Sequence, residues 1–264
     1  MDLQKLSNSL RQDILKMVYA AQSGHPGGSF SVIDILTALY FGGFIHYNTK
    51  DVKSQERDYV ILSKGHASPA IYAVLAEAGF FSKDEFFSFR QIDSKLQGHP
   101  TIKTPGVEVS TGSLGQGLSI AHGIALGKTD KKVFAILGDG ELQEGNCWEA
   151  AMSAAHYKTD NLIAIIDRNN LQIDGNTEDV MAVGNAVEKF QSFNWEVFEI
   201  DGHNFQQIED TLNKAIAVKG KPAVIIANTV KGKGVSFMEN QAGWHGKAPN
   251  EKQFEEAMKE LQSL

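Results

Sequence analysis

Residues 138–170 read GDGELQEGNCWEAAMSAAHYKTDNLIAIIDRNN, and their layout decides the fold. The apolar run Val133 to Leu137 ends in Gly138-Asp139-Gly140. A helix-compatible segment follows. A second apolar run, Leu162 to Ile166, then ends in Asp167-Arg168-Asn169-Asn170. Both runs have strand length. Their ends present Asp139 and Asn169 side by side at the carboxyl edge of a sheet, where open α/β sheets bind ligands. A carboxylate and an amide oxygen are hard ligands that suit magnesium. Glycines flanking Asp139 let a phosphate approach the backbone, and a helix start after Gly140 favours an anion. These residues fit a magnesium–diphosphate. Taken alone, they also fit a Gly-rich turn and an unrelated Asn-rich turn in an ordinary α/β protein.

Outward from this stretch, strands and helices alternate. Leu3, Leu6, Leu10, Ile14, Leu15, Val18 and Ala21 recur at helical spacing. That helix stops at Ser23-Gly24-His25-Pro26-Gly27-Gly28, and the next is expected from about Val32 to Phe41. Tyr59 to Leu62 reads as a strand leading into Ser63-Lys64-Gly65-His66 and a helix from about Ser68 to Ala78. Gln97 to Thr111 reads as loop, and Leu114 to Gly127 as a close-packing Gly- and Ala-rich helix. Further strands are expected at Trp195–Ile200 and Ala223–Ala227, around a helix from about Phe205 to Val218. Residues 228–250 read as a long loop before a polar C-terminal helix with Phe254, Met258 and Leu261 on one face. The expected class is α/β, a mostly parallel sheet with helices on both faces.

Bulk properties narrow the class further. The chain has 264 residues, and its 42% apolar content supports a sizeable core. A net charge of −7 argues against a nucleic-acid partner. The single cysteine, Cys147, excludes an intrachain disulfide and a cysteine-based zinc site. No apolar run approaches a membrane span, and the first residues lack the layout of a signal peptide, so a cytoplasmic location is expected.

Beyond the magnesium motif, histidine recurs beside glycine or proline at loop positions. The segments are Ser23-Gly24-His25-Pro26-Gly27, Ser63-Lys64-Gly65-His66, Gln97-Gly98-His99-Pro100 and Trp244-His245-Gly246. A fifth segment, Thr111-Gly112-Ser113-Leu114-Gly115-Gln116-Gly117, is rich in glycine. One such loop is ordinary surface. Four in a chain of eight histidines suggest a shared site. His46, His122, His156 and His203 carry no comparable pattern. His122 and His156 are expected to pack among small helix neighbours, and Cys147 to be a small packing residue.

The GDG with an Asn pair some thirty residues on resembles the thiamine-diphosphate motif, and the full set of segments resembles transketolase. That family's N-terminal part carries an SGHPG segment, an LSxGHxS segment, a GHP segment, a TTGPLGQG segment, the GDG…N motif and a late HG. All six occur here in the same order, over about residues 5–250. Ser113 stands where the family usually has Pro, GGSFS closes the first segment, and Trp244 stands where Thr usually precedes His-Gly.

The resemblance implies a three-layer thiamine diphosphate-binding fold, one domain spanning 1–264. The pyrimidine-binding and C-terminal domains are then expected on a partner chain, in a dimer of heterodimers. It implies thiamine diphosphate and Mg2+ (or Ca2+ or Mn2+ in its place) as cofactors. The metal ligands would be Asp139, Asn169 and the carbonyl of Leu171. Cofactor contacts would come from Gly140, His66, His245, Asn169 and the Gly112-Ser113-Leu114 segment. His25, His99 and His245 would contact sugar phosphates. His25, His66, His99 and His245 would move protons, since imidazole titrates near working pH. Glu144, with Glu149 as a weaker candidate, would lie near the subunit interface close to the partner's cofactor-activating acid.

The implied activity is transfer of a two-carbon ketol unit from a ketose phosphate to an aldose phosphate, in carbohydrate metabolism such as the pentose phosphate pathway. A chain holding only this domain is expected to be inactive without its partner. Two alternatives remain. One is a subunit for another thiamine reaction, either branched-sugar ketol transfer or deoxyxylulose-phosphate synthesis. The other is a non-catalytic protein that retains the fold.

Overall fold

The expected strands form one five-stranded, all-parallel sheet in a computed structural model that describes residues 1–264. In chain order the helices are α1 (Leu3–Ala21), α2 (Pro26–Phe41), α3 (Ser68–Glu77), α4 (Gln116–Gly127), α5 (Gly145–His156), α6 (Thr177–Met181), α7 (Ala186–Ser192), α8 (Phe205–Ala217) and α9 (Glu251–Gln262). The strands are β1 (Tyr59–Leu62), β2 (Val133–Gly138), β3 (Leu162–Arg168), β4 (Leu171–Gln172), β5 (Gly175–Asn176), β6 (Glu196–Asp201) and β7 (Ala223–Asn228). The main sheet runs β1-β2-β3-β7-β6, and β4 pairs with β5 in a separate hairpin.

Alternation along the central strands explains the layering. Phe134, Ile136, Ile163 and Ile165 point into a large core with α1, α2, α3, α8 and α9. Val133, Ala135, Leu137, Leu162, Ala164 and Ile166 point into a smaller core with α4, α5 and α7. A parallel sheet covered on both faces needs such doubly apolar strands. The result is the expected three-layer architecture.

Helix boundaries refine the reading at two places that matter for the site. The break after α1 is real: Gln22 closes it in the left-handed region at φ 49°. The second helix, however, begins at Pro26 rather than near Val32. Proline is pre-organised for the first helical position, where it lacks no needed N–H. His25 therefore sits as the N-cap of a long helix, not in an extended loop. After Asp139 the chain makes a single 3-10 turn, Gly140–Gln143, and α5 opens only at Gly145. The helix start expected directly after Gly140 is thus displaced by one short turn.

Residues 170–195 contain elements that periodicity did not show, because each is too short to display it: the β4–β5 hairpin, α6 and α7. His156 also departs from expectation. It ends α5 exposed, whereas His122 is buried and bonds Ser153 Oγ at 3.0 Å. Cys147 is fully buried, as expected of a packing residue. No helix is long and apolar enough to cross a membrane.

Helix α4 approaches the β1 end more closely than any side chain would allow. A β-carbon on Gly117 would lie 2.3 Å from Ser63 Oγ and 2.7 Å from its Cα. At Gly123, farther along the same helix, nothing lies within 4 Å. Gly117→Ala should therefore destabilise the isolated chain by about 1–3 kcal/mol through overpacking. Gly123→Ala should be neutral or stabilise by roughly 0.5–1 kcal/mol, from helix propensity. Urea unfolding of both variants checks the contrast, and equal effects would count against this close packing.

Candidate active site

The carboxyl ends of β1, β2, β3 and β7 converge on one buried carboxylate. Asp167, at the end of β3, is fully inaccessible. It pairs with Lys64 just after β1. It accepts from Ser31 Oγ of α2 at 2.5 Å and from Thr229 Oγ1 after β7. Asn169 Nδ2 stands 3.4 Å away, a long contact that orients the amide. Burial opposes the charge on Asp167, but the Lys64 ammonium and the hydroxyl donors outweigh it and hold the carboxyl below its ordinary range. Lys64 Nζ also donates to the Gly28 carbonyl at 2.8 Å, which ties the start of α2 to the sheet.

Above this network opens a cavity of about 330 Å³. Asp139, Gly140, Asn169 and Leu171 line it, together with His25, His66, His99 and His245. Gly112 and Leu114 also line it, and Glu144 stands exposed at its rim. The structure thus brings to one cavity all of the residues that the resemblance assigns to metal, cofactor or substrate except one. Ser113 is exposed and does not line the cavity, because the turn before α4 points its side chain outward. Glu149, expected near a subunit interface rather than in the cavity, is exposed on α5.

Strand register makes the candidate metal site. Gly138 pairs with Asp167 across β2 and β3, so the next residues, Asp139 and Asn169, leave the sheet as neighbours. Asp139 accepts from the N–H groups of Gly140 at 2.9 Å and Asn170 at 2.5 Å. Asn169 Oδ1 accepts from Leu171 N at 3.2 Å. Burial and then the Asp167 charge push the Asp139 carboxyl up to about 6, against its backbone donors and Lys231. An added cation would relieve that.

The four imidazoles form a cluster. Ring centroids lie 5.3 Å apart for His25–His66, 5.3 Å for His25–His245, 5.0 Å for His66–His245 and 6.5 Å for His25–His99. The His99 loop is held by Tyr72 OH, which donates to the Gln97 carbonyl at 2.9 Å. Gly112, at φ 144°, lets the backbone pass under the His99 ring, where a β-carbon would come within 2.9 Å. Burial, then nearby cations and imidazoles, keep all four rings neutral. His25 is lowered to about 4, His245 to about 3, His66 well below its usual value, and His99 in the same direction. His25 Nδ1 is buried with no hydrogen-bond partner from the protein.

Sequence reasoning missed the cations and one strut. Lys231, 1% exposed, reaches the cavity and donates to the Leu171 carbonyl at 3.2 Å. It also meets His245 Nδ1 at 3.1 Å; a protonated lysine there places the imidazole proton on Nε2. Burial and the Lys64 charge lower Lys231 to about 8. Glu141, buried, accepts from Ser63 Oγ at 2.5 Å, Gly115 N at 3.0 Å and Gly138 N at 3.1 Å, so it ties three of the site loops together. The signal for Lys231 was present. The carboxyl-edge rule, applied to the end of β7, points directly to Thr229-Val230-Lys231-Gly232.

Residues 3–262 match the family described as transketolase, thiamine diphosphate binding domain. This chain belongs to the transketolase family. A Phocaeicola vulgatus protein named as an apulose-4-phosphate transketolase subunit is 42% identical over 263 residues, covering 98% of this chain and 93% of that one. A Clostridium sp. protein named as a 6-deoxy-6-sulfo-D-fructose transketolase subunit is 38% identical, covering 99% and 96%. Among solved structures, a Campylobacter jejuni transketolase superposes with a TM-score of 0.92 at 35% identity. That match takes in 98% of this chain but only 42% of the Campylobacter transketolase.

The imidazoles predict an acid-sensitive fold. His25 and His245 titrate lower when folded than the ordinary 6.5 of the unfolded chain. As pH falls from 6.5, the unfolded chain takes up these protons first, so stability is lost toward about 4 for His25 and about 3 for His245. Asp139 has the opposite sign: its raised pKa adds stability below 3.8, which is lost as pH rises through about 6. His245→Gln should flatten the acid decline in thermal midpoint, and Asp139→Asn should raise the midpoint at neutral pH in the absence of metal. Midpoints measured from about pH 8 down to about pH 3, through the window from 6.5 to the lowered imidazole values and across the Asp139 step near 6, check both signs.

Proposed function

We propose that this chain is the diphosphate-binding subunit of a two-chain transketolase. With thiamine diphosphate and magnesium, it would transfer a two-carbon ketol unit from a ketose phosphate to an aldose phosphate. The observation that carries the reading is one cavity holding both the Asp139, Asn169 and Leu171 oxygens and four neutral imidazoles.

The residues fit the cofactor. No cluster of three His, Cys, Asp or Glu side chains is placed to hold a metal by itself. The donor set is instead one carboxylate, one amide oxygen and one carbonyl, all hard oxygens. Such a set needs phosphate oxygens and water to complete octahedral coordination, which is how magnesium ordinarily binds. Lys231 adds a buried cation beside it, whose near partners are the uncharged Leu171 carbonyl and His245. Gly140 lines the same cavity.

When bound, thiamine diphosphate supplies the electron sink for breaking and remaking the bond beside a ketose carbonyl. The chain's own residues do the rest. Asp139, Asn169 and the Leu171 carbonyl anchor the metal, and Lys231 neutralises the diphosphate. His25 and His99 are assigned to bind and exchange protons with sugar hydroxyls. His66 feels the Lys64 charge and His245 contacts Lys231, so these two rings are assigned to the diphosphate end. Neutral imidazoles both donate and accept, which suits a polyol substrate.

The two-chain assembly rests on the relatives named as subunits, which match this chain over nearly their full lengths. Their names specify apulose-4-phosphate and 6-deoxy-6-sulfo-D-fructose, so a donor panel should contain both besides ordinary pentose and hexose ketose phosphates.

The purified chain should show no ketol transfer, and a second chain carrying a pyrimidine-binding domain should restore it together with a larger assembly by light scattering. Robust transfer by this chain alone would overturn the two-chain reading. Within the assembly, Asp139→Ala should abolish magnesium-dependent binding of thiamine diphosphate in calorimetry. His25→Ala and His99→Ala should retain cofactor affinity while kcat/KM falls by about 10²–10⁴-fold. Loss of cofactor binding in both histidine variants would show that the roles are wrongly divided.

A further inference from the structure

His203 lies outside the cavity, yet it is wired to it. The buried guanidinium of Arg11 on α1 grips Asp34 on α2, with Nη1 to Oδ1 at 2.9 Å and Nη2 to Oδ2 at 2.6 Å. Asp34 Oδ2 also faces His203 Nδ1 at 2.7 Å. Across the ring, His203 Nε2 receives the Val230 N–H at 2.8 Å. A backbone N–H can only donate, so Nε2 carries the lone pair and Nδ1 carries the proton that Asp34 accepts. Burial would raise Asp34, but Arg11 and then His203 hold it down to about 2, so it is a fixed anion.

We propose that His203 is a positioning residue for the diphosphate end of the site: by accepting the Val230 N–H it fixes the strand-end segment that carries Lys231 into the cavity. The rest of that segment is pinned to the sheet and to α2. Thr229 N donates to the Arg168 carbonyl at 3.0 Å, and Gly232 N donates to the Gly27 carbonyl at 3.0 Å. Between these two points only the Val230 N–H is held by a side chain, and that side chain is His203. The relay Arg11–Asp34–His203–Val230 therefore joins four elements: α1, α2, the turn after β6 and the turn after β7. It sets where Lys231 Nζ stands relative to Leu171 and His245. The role in binding rests on the proposed function above, in which Lys231 meets the diphosphate; the role in geometry does not.

Two substitutions separate the two ring nitrogens. Asn at this position keeps a donor where Nδ1 stands and loses the acceptor for Val230. Gln keeps an acceptor where Nε2 stands and loses the donor for Asp34. Both should lower the thermal midpoint of the full chain. His203→Asn should also abolish hydrogen-exchange protection at Val230 and weaken binding of magnesium pyrophosphate and magnesium thiamine diphosphate by about five- to tenfold, the equilibrium worth of one hydrogen bond. His203→Gln should keep protection at Val230 and remain within about threefold of wild-type affinity, well under one such bond. A merely structural His203 would give affinities that follow the midpoint in both variants, and that result overturns the proposal, as does unchanged Val230 protection in His203→Asn. If the wild-type chain binds neither probe with or without its partner chain, the functional reading fails, and Val230 exchange still decides whether His203 holds the segment.

Discussion

The site depends on the charge of Asp167. A fully buried carboxylate is expensive unless it is paired and fully hydrogen-bonded. Here the compensating groups come from α2, the end of β1 and the end of β7, which are the segments that carry His25, His66 and Lys231. The requirement to satisfy one carboxylate therefore fixes the mutual placement of segments far apart in sequence. Removing Lys64 would leave an uncompensated charge, and removing Asp167 would strand a buried ammonium. Such a pair adds little net stability, but it specifies an arrangement.

A second layer of polar struts refines that arrangement. Glu141 links the Ser63, Gly115 and Gly138 backbones or side chains, and Asp34 links Arg11 to His203. Their hydrogen bonds all run to other parts of the chain. They remove freedom from loops that would otherwise move, as the supporting shell of a pre-organised site must. The four imidazoles gain from this directly. With ring centroids 5.0–6.5 Å apart and partly buried beside fixed cations, they stay neutral instead of each seeking a proton.

Much of this was legible in the chain itself. Tyr59–Leu62, Val133–Leu137 and Leu162–Ile166 announced themselves as strands because buried parallel strands are apolar on both faces. Asp139 and Asn169 followed from strand ends, and the histidine loops from their glycine and proline neighbours. The start of α2 was not legible, because Ser-Gly-His-Pro-Gly-Gly reads equally as a turn and as a proline-led helix start; the helix wins because Ser31 and Asp34 find buried partners. Lys64, Lys231 and Glu141 were hidden for another reason. A charged residue in sequence is read as solvated, and only tertiary pairing shows that it is buried. Ser113 was carried with its neighbours Gly112 and Leu114, which line the cavity while Ser113 itself is exposed.

The bond from Lys231 to the Leu171 carbonyl has an implication for how the site loads. Under the proposed function, that carbonyl is one of three oxygens offered to a divalent ion, and a protonated amine already holds it. A bare ion arriving alone would have to displace a cation and then sit beside it, two like charges in a poorly solvated space. An arriving diphosphate changes the balance, because its oxygens give the displaced ammonium a better partner and share the ion's charge. Under the proposed function, metal and diphosphate are thermodynamically linked ligands: each raises the affinity for the other by the same factor. On that reading, a pocket that keeps its own cation on the carbonyl offered to the metal would discriminate against free ions and favour the pair.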